Sequence, residues 1–570
     1  MSAGFLALAA SVPIVIALIL MAGLRWPATR SMPVAWLATA LVGLILWQLP
    51  PGYVAALSLE GIVTATEILI IVFGAILILM TLRYSGGMET IQSGMQGVSR
   101  DMRVQAIIIG YMFTAFIEGA AGFGTPAALA APLLLSLGFP PMAAAIICLT
   151  FNTFPVTFGA VGTPIILGLD YLRDFISEAA AEYPDQVNFT DYESFGMVIG
   201  QWSTLMNLPM IFILPVFMLG FITRFYGPNR SWLEGFRAWK FCIFAAVAFS
   251  IPYLVFAWLV GPEFPALIGG LTGLGVVILG AKKGIAVPRE VFTFGPQEKW
   301  EPEWTGEVRV PEGSKFEARM SQFKAWLPYM LIGVILVLTR IEELGLKGLL
   351  EGVTIDFQNI LGYEAVEESI RILYLPGTIP FMLIAFLTIF IHRMNMNQVR
   401  SSFVDALKRT KNPAIALVFA VALVAIFQGS GIEDLDLNPN NYPSMSLAMA
   451  EFIAGFAGHS WPMFAGFIGG LGGFITGSNT VSNLLFAEFQ WGMASQLELP
   501  HQIIIAAQAV GGGFGNMVCI HNIVAVCAVV GLSGKEGLIL RKTFWPFLLY
   551  GLVVGIVATL MSFVFLPHLY

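Results

Sequence analysis

The chain has 570 residues, of which 57% are hydrophobic, 13% aromatic and only 11% charged, with a formal net charge of -7. This composition excludes a soluble globular protein of that size, and it leaves net charge silent about partners, because in a membrane protein the placement of Lys and Arg along the chain is what counts. The four cysteines, Cys148, Cys242, Cys519 and Cys527, lie in apolar segments without metal-ligand spacing and read as buried small hydrophobes.

In chain order, apolar segments of membrane length fall near 4–24, 33–50, 54–82, 104–137, 139–169, 197–222, 241–260 and 264–281. The first lacks a basic leader and runs straight into further apolar sequence, so it is expected to be a span and not a cleaved signal. Residues 282–324 mix charges of both signs with Pro and Gly and are predicted to link an N-terminal half, 1–281, to a C-terminal half, 325–570. Apolar segments resume near 325–340, 373–392, 412–428, 461–490, 500–531 and 543–567.

Charge placement decides which of these segments cross. If 104–137 and 461–490 are re-entrant hairpins, twelve segments cross and 25 of the 29 Lys and Arg fall on one face, leaving Arg173, Arg340, Lys347 and Arg371 opposite. Linker 282–324 is then cytoplasmic, while loop 170–195, with seven carboxylates and one Arg, lies outside with both termini. The expected fold is an all-α polytopic membrane protein. It consists of two inverted repeats, with about 12 transmembrane helices plus two re-entrant hairpins built from discontinuous helices.

The stretches 116–164 and 466–526 place glycine clusters, Asn, Thr and Pro inside apolar sequence, with a first break near Gly122 or Gly477 and a second near Gly162 or Gly515. Broken backbone at membrane depth survives only when buried in protein or lining a watery cavity, so each stretch reads as half of a solute site. Gly119, Gly122 and Gly124 would let backbone N–H groups approach an anion at a half-helix end. Thr125, Ser478, Asn479 and Thr480 would supply side-chain donors and acceptors. Asn152, Thr153, Pro155 and Thr157 are expected in an unwound stretch facing Asn516, His521 and Asn522. The competing reading is that the small residues merely allow close helix packing.

Glu118 is the sharpest single residue, since an ionised carboxylate in mid-segment is costly. It reads as a proton carrier, with a hydrogen-bonded structural carboxyl and direct contact with a substrate hydroxyl as alternatives. His521 is a second proton-relay or substrate-donor candidate, against a satisfied core histidine. Glu60, Glu67 and Glu488 read as structural, His459 and His501 as segment ends, and His392 and His568 as interfacial. Arg340 and Arg371 lie near outer span ends, as interface anchors or attractors of anions.

The runs FIEGAAGFGTPAALAAPLLLSLGFPP (116–141), FNTFPVTFGAVGTPI (151–165), GGFITGSNTVSNLLF (472–486) and GGGFGNMVCIHNIVAV (511–526) resemble the lactate permease family, which includes glycolate permeases. The resemblance implies import of short 2-hydroxymonocarboxylates such as lactate and glycolate by proton symport across a bacterial cytoplasmic (inner) membrane. It implies the carboxylate, protons and membrane lipids as partners, with no cofactor and no metal, and it allows an oligomer. A looser similarity, GSNT at 477–480, is to the dicarboxylate and citrate transporters of the wider ion transporter superfamily, where Ser-Asn-Thr in both halves contributes to sodium and carboxylate binding. Here Gly122, Phe123, Gly124 and Thr125 stand at the corresponding place in the first half, so a symmetric pair of sodium sites does not follow; a sodium-coupled carboxylate transporter is the alternative. The chain carries no HExxH, GxSxG, P-loop or Cys/His constellation and no flanking soluble domain, so neither an enzyme nor a nucleic-acid partner is expected.

Overall fold

The computed structural model describes the whole chain apart from residues 25, 123–124, 185, 307–315, 341–343, 567–568 and 570 and the side chain of Thr125. The tip residue Gly124, the Thr125 side chain and His568, all singled out by sequence, therefore lie outside the described residues.

Apolar sequence with no water to bond closes its backbone on itself as helix. In the first half these helices are α1 (Ala3–Gly23), α2 (Ala28–Trp47), α3 (Pro51–Tyr84), α4 (Met102–Ala121), α5 (Thr125–Ser136), α6 (Pro141–Val156), α7 (Gly159–Ile166), α8 (Tyr192–Tyr226), α9 (Trp239–Leu259) and α10 (Pro265–Lys282). In the second half α11 (Gln322–Arg340) precedes an antiparallel pair of strands, β1 (Ile355–Phe357) and β2 (Glu368–Ile370). There follow α12 (Gly377–Ile391), α13 (Met396–Gly429), α14 (Met445–Ala457), α15 (Pro462–Thr476), α16 (Asn479–Gln496), α17 (His501–Gly515), α18 (Ile520–Val530) and α19 (Glu536–Phe565). Among the described residues 11 helices are long and apolar enough to cross a membrane, or 12 if Pro141–Val156 and Gly159–Glu182, bent by 50°, are one span.

Helix α8 fixes two opposite faces. At its start Asp191 and Ser194 form a capping box in the acidic loop. At its far end, 35 residues on and about 52 Å away at the helical rise, Tyr226 packs on Trp304 of the linker, ring centroids 5.4 Å apart. The first hairpin begins and ends on the linker face: the N–H of Met102 donates to Phe292 O (3.0 Å), that of Met142 to Trp304 O (3.2 Å), and Gln96 Nε2 to Ser136 Oγ (3.1 Å).

The second hairpin begins and ends on the other face. Its arms are zipped by Trp461 Nε1 donating to Gln490 Oε1 (2.8 Å) and Ser482 Oγ donating to Gly469 O (2.8 Å). Beyond them Trp491 packs on Phe175, and Gln502 Nε2 donates to Asn188 Oδ1 (3.0 Å) in the acidic loop. The two hairpins thus enter from opposite faces. Both chain ends sit on the acidic-loop face, the Met1 amine donating to Tyr442 OH (3.2 Å) and Phe563 packing on His459.

Two elements differ from expectation. Helix α14, a 13-residue element carrying Glu451 and set beyond a polar loop, has too little uninterrupted apolar sequence to announce itself. Helix α13 starts well before its apolar stretch because Asn395 and Gln398 cap it reciprocally, so its polar first half is helical too. The described part of the linker packs on the bundle: Phe292, Phe294 and Trp304 are buried, Arg103 donates from Nη2 to Glu290 O (2.5 Å), and Lys535 Nζ donates to Pro302 O (2.6 Å) and Thr305 O (2.8 Å).

Candidate functional site

The two tips reach one broken helix from either side. Helix α4 ends at Gly122, whose φ of +60° and ψ of -155° suit glycine alone, and a Cβ there would lie 3.0 Å from that of Ala160. The other tip turns at Gly477 (φ +71°), and Ser478 Oγ caps α16 by accepting from the N–H of Val481 (3.4 Å). The next residue, Asn479, donates from Nδ2 to Ala509 O (2.9 Å) and Val156 O (3.5 Å). Val156 and Ala160 are four residues apart, so the tips converge on the α6–α7 junction.

The break near Gly162 is where the glycine pattern placed one, but the unwinding expected over 152–157 is not there. Thr153–Val156 is helical, Asn152 sits at a single turn with right-handed φ, and Thr153 Oγ1 returns its hydrogen to Thr150 O (2.9 Å). The break lies later: Ala160 (φ 44°), Val161 (φ 59°) and Gly162 (φ 75°) are consecutive left-handed residues, and for β-branched Val161 this conformation is strained. Pro155 stands within the short helix, and of the three residues in the break only Gly162 has the freedom that a positive φ asks for.

Glu118 (3% exposed) and Asn152 (4% exposed) meet across this junction, Asn152 Nδ2 donating to Glu118 Oε2 at 2.9 Å. The other carboxyl oxygen faces glycines: a Cβ on Gly159 would lie 2.5 Å from Glu118 Oε1, and one on Gly122 3.5 Å away. Gly119, expected to face an anion, instead presses on the α10 backbone, where a Cβ would come 2.7 Å from Leu267 Cα. For that residue the helix-packing reading holds.

On the opposite side of the junction Thr157 Oγ1 abuts Gly513 of α17, whose added Cβ would lie 3.0 Å away. Asn207 Nδ2 donates to Thr157 Oγ1 (3.2 Å) and Tyr253 OH (3.0 Å), while Tyr550 OH donates to Asn207 Oδ1 (2.7 Å). This buried knot joins α8, α9 and α19 and was missed from sequence, although an Asn in mid-span is itself a signal. Asn483 Nδ2 donates to Pro164 O (2.8 Å), a further tie between the halves.

Thr480 is buried within α16. Asn516 lies at the α17–α18 break, its backbone oxygen accepting from Asn522 Nδ2 (3.3 Å) and its buried Oδ1 without a partner among the described residues. His521 stands beside Gly477, 3.7 Å from where a Cβ would be, but its side chain is exposed and no hydrogen bond joins it to Glu118 or Asn152. Glu488, read from sequence as structural, is buried in an arm of the second hairpin and accepts from Ser444 Oγ (2.6 Å). Arg340 is not free to attract anions: it pairs with Glu263 (2.9 Å) and stacks on Tyr374.

A cavity of about 920 Å³ opens among the loops of the acidic-loop face and runs in to Thr163, just past the left-handed run. Glu60 and Glu67, read from sequence as structural, line it. In the loops around it, burial and the nearby Asp170 push the Glu368 carboxyl above its usual range, while the Ser194 N–H holds that of Asp191 below it.

Among the described residues, ten or eleven apolar spans besides the hairpin arm α4, with two opposed re-entrant hairpins whose tips meet at a broken helix, define a multi-pass membrane transporter. The sequence profile of the L-lactate permease family matches residues 6–565, and the chain belongs to that family. It is 30% identical to the putative L-lactate permease of Haemophilus influenzae, covering 91% of this chain and 92% of that one. It is 27% identical to the L-lactate permease of Escherichia coli (92% and 90% covered) and 26% identical to the glycolate permease GlcA of the same organism (99% and 96% covered). The YdaH transporter of Alcanivorax borkumensis aligns over 85% of this chain and 84% of its own with a TM-score of 0.34 at 12% identity.

Proposed function

We propose that the protein imports short 2-hydroxymonocarboxylates, lactate and glycolate among them, by proton symport across the bacterial inner membrane. The observation that carries this reading is the Glu118–Asn152 pair, a buried carboxyl held at the junction that both tips reach. The relatives named for lactate and glycolate supply the substrate class. Glu118 carries the proton, which offsets the substrate's negative charge while the loaded site reorients; Gly122, Gly124, Thr125, Asn152, Thr157, Ser478, Asn479, Thr480 and Asn516 surround the solute. Thr153 stays at the edge of this set, and His521 serves the second tip and not the proton path. Residues 1–281 and 325–570 act as the inverted halves, joined by 282–324 on the cytoplasmic face.

Glu118→Gln in proteoliposomes tests the reading, because Gln keeps size and hydrogen bonding but cannot exchange a proton. Lactate accumulation driven by a pH gradient is expected to vanish while lactate-for-lactate exchange persists. Wild-type accumulation by the variant overturns the role of Glu118. Uptake by the unmodified protein that follows a sodium gradient and ignores pH overturns proton symport.

A further inference from the structure

Buried polar atoms are almost always paired, so those that are not carry information. Asn152 Oδ1, Asn479 Oδ1 and Asn516 Oδ1 are three amide oxygens, on residues at most 6% exposed, with no hydrogen-bond partner among the described residues. Asn152 differs from the other two in being tied to an ionisable side chain. Its Nδ2 donates to Glu118 Oε2 at 2.9 Å, and while Glu118 is ionised, turning the amide over would set its oxygen against an acceptor-only carboxylate oxygen. The amide is therefore oriented, and its free oxygen can serve only as an acceptor. Beside it, Glu118 Oε1 is flanked by Gly122 and Gly159, where a side chain would close the space.

A second oriented group lies at the same junction. Tyr550 OH donates to Asn207 Oδ1, which commits both N–H groups of Asn207, one to Tyr253 OH and one to Thr157 Oγ1. Thr157 accepts through its oxygen, and among the described residues nothing accepts its hydroxyl hydrogen. The junction thus offers one fixed acceptor and one available donor. A carboxylate is acceptor-only and suits Thr157 and the half-helix N–H groups; the amide oxygen of Asn152 would repel it and needs an O–H.

We infer that Asn152 is the residue that selects 2-hydroxy acids, its Oδ1 accepting the substrate's 2-hydroxyl hydrogen while Glu118 holds the amide in place. The inference rests on the permease reading above and adds to it a discrimination between acids that share a carboxylate and differ at C2. A site built to accept a hydroxyl hydrogen penalises analogues that lack one, since its buried acceptor is then left unpaired.

The test is competition against labelled lactate uptake in proteoliposomes by lactate, glycolate, propionate, pyruvate and 2-methoxypropionate, the last keeping the C2 oxygen without its hydrogen. For the unmodified protein, lactate and glycolate are expected to compete at least ~10-fold better than the other three. In Asn152→Ala the lactate-to-propionate ratio is expected to fall toward one, with propionate's own affinity changed little. Asn152→Cys, close in size and a weak acceptor, gives the same readout if the alanine variant does not fold. Equal competition by 2-methoxypropionate in the unmodified protein overturns the inference without any variant. So does a variant that loses lactate and propionate equally, as a merely structural residue would, or one that keeps the original ratio. Failure of the unmodified protein to transport lactate at all overturns the permease reading and this inference together, which sets it apart from the other results.

Discussion

Gly159→Ala is a one-methyl test of whether the Glu118–Asn152 pair governs transport. Gly159 lies outside the left-handed run and its φ is not positive, so alanine adds a contact without backbone strain. The new Cβ would lie 2.5 Å from Glu118 Oε1, whereas ordinary contact begins near ~3.4 Å, so the carboxyl must retreat by about 0.9 Å. A retreat along the line of the 2.9 Å bond from Asn152 Nδ2 stretches it to roughly 3.8 Å at most, beyond hydrogen-bond range. A buried hydrogen bond to a carboxylate is worth about 1.5–3 kcal/mol, so pH-driven lactate uptake should fall by about ten- to a hundredfold. The assay is initial-rate uptake in proteoliposomes across a pH series, with melting temperature and elution profile as checks of the fold. Shortening the acid restores the room, so Glu118→Asp combined with Gly159→Ala should recover part of the rate that each change loses alone. A Gly159→Ala protein with wild-type rate and pH profile refutes the reasoning, since it would mean that the carboxyl swings aside at no cost to function.

Single cysteines should report the two faces: Ser177→Cys in the acidic loop is expected to react with an impermeant maleimide on intact cells and Glu298→Cys in the linker is not, the reverse pattern refuting the charge-based orientation. The buried Asp101–Arg103 pair (2.6 Å) anchors the linker, so Arg103→Met should cost roughly 3–5 kcal/mol as measured by melting, with Asp101→Asn combined with it costing less than the two single effects together. Asp191→Ala removes the cap of α8 and should lower stability by about 1 kcal/mol at pH 7. Because hydrogen bonding depresses the folded-state value of Asp191, its contribution is present above the unfolded value near ~3.9 and is lost as pH falls through the folded one; the gap between variant and parent in melting temperature should close in acid, and a constant gap would argue against the cap.

Sequence carried the plan of this molecule further than its details. Basic-residue placement and two glycine-rich breaks located both hairpins, because those signals are set by the bilayer and by backbone bonding, which act alike on any chain. The site was legible where chemistry is conspicuous: Glu118 and Asn152 stand out in apolar sequence, and they meet. It was illegible where contact partners decide the role. Gly119 could have faced an anion or a helix, and only the close approach of Leu267 shows that it packs. Pro155 suggested unwinding at 152–157, where the chain stays largely helical, whereas the break expected near Gly162 is present and extends back into Ala160 and Val161, residue types that give no such signal. Asn207, Tyr253 and Tyr550 are far apart in sequence and form one knot, a relation that no single-segment pattern contains.

The outer cavity has a kinetic consequence. Among the described residues its lining holds eleven acidic side chains and three arginines, so a solute anion climbing toward Thr163 moves against its own sign of charge. Screening length falls to about 8 Å at physiological salt, comparable with the cavity's own dimensions, so added salt relieves the repulsion. Entry of the anion should therefore speed up with ionic strength, the inverse of the slowing seen when opposite charges steer a ligand inward. Measurements in dilute buffer would therefore understate how fast the protein loads its cargo in the salt of a living medium.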